Sequence, residues 1–151
     1  MLINKMAEIL QRLGLNTAEK CDKKRFPVVI QSFSHSALLS YEETDLDLPV
    51  VHLFDTVENF NDDFLRTNAI RNMKGIGISE KHANAEIREL CTKNNLEMFY
   101  WTLRDDHLDN IPFGLKTYRE AYLQLIKIGI NGFITEFPDK CEEYILEGFK
   151  V

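Results

Sequence analysis

The chain has 151 residues, 44% of them apolar, and a formal charge of −6. That length suits one domain with a sizeable core. The acidic balance excludes the basic stripe of a nucleic-acid surface, no apolar run approaches the ~20 residues that span a bilayer, and the charged N-terminus lacks a signal peptide's pattern.

The elements follow in chain order. Ile3, Met6, Leu10 and Leu13 fall at i, i+3, i+7 and i+10, which predicts an amphipathic helix over 1–14, stopped by Gly14. No strand precedes this helix for it to lie on. Residues 15–26 are polar and basic and read as a loop. A first strand spans 27–33, opened by Pro27. A short helix follows over 34–41, capped by Ser34, with Ala37, Leu38 and Tyr41 inward. A second strand spans 49–54. The polar stretch 55–72 carries Val57, Phe60 and Phe64 at helical spacing. Residues 74–79 form a third strand with two glycines, Gly75 and Gly77.

A helix over 84–94 turns Ile87, Leu90 and Cys91 inward. Two apolar runs, 96–104 and 129–138, read as strands buried on both faces, with a helix over 118–128 between them. A last helix, 140–146, rests on Cys141, Tyr144 and Ile145. The three cysteines have no Cys-x-x-Cys spacing and read as buried free thiols of a reducing compartment, cytoplasmic by default.

The fold class is α/β: one helix, then five βα units whose strands run parallel. Two architectures fit this pattern. One is an open, doubly wound, flavodoxin-like sheet; the other is an incomplete TIM (β/α)8 barrel, whose full form needs eight strands and ~250 residues. In both, the carboxyl ends of the strands build the site.

Four residues at those ends are candidate substrate-binding groups. Gln31 and Ser32 present an amide and a hydroxyl able to contact phosphate or a glycerol hydroxyl, or else end a strand before a capping turn. Trp101, the only tryptophan, is either a core aromatic or a flat wall for a glycerol or choline moiety. Arg104 either grips phosphate in bidentate fashion or pairs with Asp105, Asp106 or Glu136. The histidines His35, His52, His82 and His107 have no metal-ligand spacing, and no carboxylate pair marks a metal site. The expected sets are therefore: catalytic, none; metal, none. For the flavodoxin-like alternative, residues 33–37 are the one thin candidate for a phosphate loop.

Several of these segments carry a family resemblance. They are Pro27-Val28-Val29-Ile30-Gln31-Ser32-Phe33, Trp101-Thr102-Leu103-Arg104, and Gly129-Ile130-Asn131-Gly132-Phe133-Ile134-Thr135-Glu136-Phe137-Pro138. In this order they resemble the C-terminal part of glycerophosphodiester phosphodiesterases. The polar insert 105–116 is similar to that of the bacterial periplasmic and plant-like branch. Glu136 stands where the family carries Asp.

The resemblance implies a barrel that hydrolyses glycerophosphodiesters to glycerol 3-phosphate and an alcohol, in lipid and glycerol metabolism, with bound Ca²⁺ or Mg²⁺. It covers residues 5–151 but maps onto the last five βα units alone. The family's His-Arg-Gly strand end, its acidic Glu-x-Asp strand, its His-Asp turn and its Glu-x-Lys, which supply the metal ligands, the acid–base histidines and a lysine, have no match. The expectation is one partial barrel domain over 1–151 that lacks the first three strands. By itself it binds no cofactor and is inactive, and it self-associates through sheet edges beside 28–33 and 133–136. A non-catalytic remnant acting in binding or as a scaffold is the alternative.

Overall fold

The computed structural model describes residues 2–56, 60–79, 82–106, 109 and 111–148. Val57 and His107 lie outside the described residues. The elements are α1 (Leu2–Leu13), α2 (Ala18–Lys23), β1 (Ile30–Ser32), α3 (His35–Glu42), β2 (Val50–Phe54), α4 (Asp62–Thr67), β3 (Met73–Ser79), α5 (Ala85–Lys93), β4 (Glu97–Leu103), α6 (Tyr118–Ile128), β5 (Gly132–Thr135) and α7 (Pro138–Gly148). A 3₁₀ turn, Pro112–Gly114, precedes α6.

The five strands are parallel and hydrogen-bonded in the order β1-β2-β3-β4-β5. This order decides between the two architectures. A doubly wound sheet reverses its order at a switch point, as in 2-1-3-4-5, whereas a (β/α) barrel adds each new strand beside the last. The fold is an incomplete TIM-like α/β barrel of five units behind one helix.

Two compact units make up the chain: Met1–Leu53 with Asn61–Gly75, and Phe54–Phe60 with Ile76–Val151. The first unit is built on Ala7, Leu15, Leu38, Tyr41, Leu46 and Val50, against which the stripe of α1, Ile3, Met6 and Leu10, packs. Tyr41 is fully buried, and its hydroxyl accepts from Leu48 N at 3.0 Å and lies 2.9 Å from Leu48 O. That bond fixes the turn that delivers β2. Ser34 caps α3, its Oγ accepting from Ala37 N at 3.2 Å, as the sequence predicts.

The stretch 15–26 is not a plain loop, because α2 lies within it. Thr17 caps this helix, accepting from Lys20 N, and Glu19 pairs with Lys23. Its single buried anchor is Cys21, so the helix leaves no apolar period to read. The first strand is shorter than 27–33. Its ladder runs from Ile30↔Val50 to Ser32↔His52, starting where Pro49 O accepts from Ile30 N. Pro27 has no N–H to add, and Val29 is 53% exposed.

The second unit centres on Met98, Tyr100, Leu103, Tyr122 and Leu125. Its α6 carries a capping box between Thr117 and Glu120 and ends at Gly129, whose φ of 91° suits glycine. The expectation that the last two strands are buried on both faces does not hold. Burial on β4 alternates, and every residue of β5 is half-buried. β5 ends the strand order, so among the described residues only one of its edges is paired. By contrast β2, inside the sheet, is buried at all its positions. Val51, Ile76 and Tyr100 are buried, and Val29 is exposed. The three cysteines are buried free thiols.

Candidate functional site

The carboxyl end of β1 lies in the first unit. Gln31 is exposed and Ser32 half-buried. The Ser32 Oγ accepts from Ser34 N at 3.0 Å, which shapes the turn into α3. Opposite Ser32 in the ladder stands His52. The His52 ring stacks on that of His35, the first residue of α3, with centroids 5.4 Å apart and planes 18° apart. Burial pushes the pKa of His52 down to about 4; a hydrogen bond to the backbone of Asn68 opposes that shift, and the nearby His35 adds to it. At neutral pH this edge therefore carries hydroxyls and a neutral buried imidazole.

In the second unit, the carboxyl end of β4 is charged. Trp101 and Arg104 are both half-buried. The register between β4 and β5 slips after Tyr100↔Phe133, so that two residues, Trp101 and Thr102, stand against Ile134 before Leu103↔Thr135. Such a bulge re-aims the side chains of the strand end. Arg104 pairs with Asp106, Nη2 to Oδ2 at 3.2 Å and Nε to Oδ1 at 3.4 Å. This hydrogen bond pushes the guanidinium pKa up, with Glu136 and Tyr118 contributing. The bland alternative for Arg104, a surface ion pair, is thus what this structure contains.

Beside it, burial pushes the Asp105 carboxyl up, against a hydrogen bond with Tyr144 and the charge of Lys140. Thr135 ties the edge together. Its Oγ1 donates to Leu103 O at 3.1 Å and accepts from Phe137 N at 3.0 Å and from the buried Tyr122 hydroxyl at 3.1 Å. Thr135 is a structural hub, a role its place in the motif 129–138 did not reveal.

All four sequence-predicted residues sit at or just past a strand's carboxyl end. The structure brings Gln31 together with Ser32 in one unit and Trp101 together with Arg104 in the other. His52 is not one of the four predicted groups. Its signal was a lone polar residue inside the apolar run 50–54, and its significance needed the register with Ser32. Among the described residues, no three His, Cys, Asp or Glu side chains come together to hold a metal ion. The described residues therefore supply no ligand set for the metal that the family resemblance implies.

Comparison with known proteins bears on this arrangement. No curated protein sequence matches the chain. Solved structures do match its fold. A phosphodiesterase from Oleispira antarctica, in complex with the product sn-glycerol-3-phosphate, aligns with a TM-score of 0.63 at 14% identity, over 85% of this chain and 47% of that one. A glycerophosphodiester phosphodiesterase from Parabacteroides distasonis gives 0.64 at 14% identity, over 99% and 51%. A Galdieria sulphuraria protein described as a candidate enzyme of the same kind gives 0.67 at 13% identity, over 94% and 49%. The chain therefore spans about half the length of these relatives. Among the described residues, no helix is long and apolar enough to cross a membrane. The model of the glycerophosphoryl diester phosphodiesterase family matches residues 4–140, nearly the whole chain, and the chain belongs to that family.

Proposed function

We propose that residues 1–151 form one partial barrel domain, the last five βα units of a glycerophosphodiester phosphodiesterase, lacking the first three strands. Its role is to contact a glycerophosphodiester. Gln31 and Ser32 meet the phosphate or the glycerol hydroxyls. Trp101 presents a flat wall to the glycerol or choline moiety, and Arg104 binds phosphate by exchanging its bond to Asp106 for one to the ligand. The reaction of a complete barrel, release of glycerol 3-phosphate and an alcohol in lipid and glycerol metabolism, needs Ca²⁺ or Mg²⁺ and acid–base residues supplied from outside the 151 residues. The chain alone is inactive. The observation that carries this reading is the family match over 4–140 on a chain half the length of its solved relatives.

A further part of the reading concerns association. β1 and β5 end the strand order, and each has one edge without a partner strand among the described residues. Neither Ile30–Ser32 nor Gly132–Thr135 contains a lysine or proline to guard that edge. Self-association through these edges follows.

The single tryptophan provides the test. Titration with glycerophosphocholine is expected to change Trp101 fluorescence along a saturable curve, and Arg104→Ala is expected to weaken it. A spectrum that stays unchanged at saturating ligand would remove Trp101 from the site.

A further inference from the structure

The β1 edge contains a side-chain pair that the proposed contacts do not use. His35 begins α3, three residues after Ser32, and its half-buried ring lies flat against His52. His52 is 2% exposed and is bonded in turn to the backbone of Asn68, directly after α4. The series Asn68, His52, His35 thus runs from the end of α4 through the middle of β2 to the start of α3, all within one unit. The Nδ1 atom of His35 is buried and has no hydrogen-bond partner. Nδ1 is thus closed to a ligand, and Nε2 is the ring nitrogen left to meet one.

We propose that His35 is a further ligand-contacting residue of the β1 edge, giving an N–H to a phosphate-ester oxygen, and that His52 is its positioning residue. The chemistry favours this assignment. With a proton on Nε2, as in one neutral tautomer and in the cation, the imidazole donates to a phosphate oxygen. A histidine on a helix's first turn is otherwise free about two side-chain torsions, and binding would have to freeze them. Stacking on a buried ring removes that freedom before the ligand arrives. His52 suits this task because it stays neutral: a second charge beneath His35 would repel the very proton that a phosphate attracts.

The inference rests on the reading of Ser32 as a phosphate-contacting residue, so the experiment follows both residues at once. The full chain is titrated with inorganic phosphate, sn-glycerol 3-phosphate and glycerophosphocholine in separate arms, while the Ser32 amide and the histidine ring resonances are recorded by NMR. The His35 ring is expected to shift along the same saturation curve as Ser32. Equal saturation by phosphate alone identifies the free anion as the ligand, and tighter saturation by an ester identifies the ester. His35→Ala is expected to weaken binding about three- to tenfold, the worth of one hydrogen bond. His52→Phe keeps a flat neutral ring beneath His35 and is expected to retain affinity, whereas His52→Ala is expected to lose as much as His35→Ala. A shift at Ser32 with a silent His35 ring overturns the inference alone. No shift at Ser32 in any arm overturns the reading on which it rests. Wild-type affinity in His52→Ala overturns the positioning role, and loss of affinity in a folded His52→Phe shows that stacking is not what His52 supplies.

Discussion

The carboxyl ends of β1–β2 and of β4–β5 occupy equivalent places in their βα units and are built in opposite ways. At the end of β1 in the first, residues 31–34 carry no charged side chain. A serine hydroxyl, a capped helix start and a buried imidazole shape it, and its main constraint is burial. The second is charged: Arg104 pairs with Asp106, while Asp105 stands beside Tyr144 and Lys140 with its Oδ1 buried and without a hydrogen-bond partner. A phosphate arriving at the first edge meets donors and hydroxyls. At the second it must displace a carboxylate from the guanidinium. The two ends also differ in what their failure would cost. A buried group changes stability when its state changes, while an exposed ion pair changes little.

The pH dependence of stability is the strongest way to break this contrast. His52 takes a proton in the unfolded chain below about 6.5 but in the folded chain only below about 4. Between these values the unfolded state binds more protons, so stability falls as pH falls through the window. The expected loss is about 3 kcal/mol on acidification from neutral pH to about 4. His52→Gln should flatten that part of the profile in urea titrations. An unchanged slope in the variant would place the acid sensitivity elsewhere.

A smaller effect is expected at the other edge. Thr135→Val keeps the side chain's shape but leaves Phe137 N and the buried Tyr122 hydroxyl without their acceptor. The expected cost is about 2 kcal/mol, read from denaturant midpoints. The smallest effect belongs to the charges themselves. Arg104→Gln should leave the melting temperature unchanged, because the side chains of its ion pair keep 41% and 47% of their surface exposed. A clear loss of stability would mean that the pair holds the strand end in place and is not available to exchange for a ligand.

Much of the fold is legible in the sequence because local signals agree. α6 begins and ends as predicted, since Thr117, Glu120 and Gly129 mark it chemically as well as by apolar period. α2 is not legible, because one buried cysteine makes no pattern. The half-burial of β5 is not legible either. Its residues have the composition of an interior strand, and only the strand order reveals that it stands last. The choice between barrel and doubly wound sheet likewise required pairing, which no periodicity encodes. At the site, the ion pair of Arg104 could be anticipated from Asp105 and Asp106 next in the chain. The His35–His52 stack could not, because it joins two elements through a register between β1 and β2. The family motifs located the strand ends correctly. They said nothing about Thr135 as a hub, since a threonine in a motif does not announce which carbonyl it will reach.

We propose above that this chain carries a substrate edge without the machinery for hydrolysis. Release of glycerol 3-phosphate from glycerophosphocholine, measured on the purified 151-residue chain with and without Ca²⁺ or Mg²⁺, tests it most directly. The expected result is no metal-dependent release, because no metal-holding group of three or more side chains is present among the described residues. Metal-dependent turnover that falls on Trp101→Ala would contradict the account.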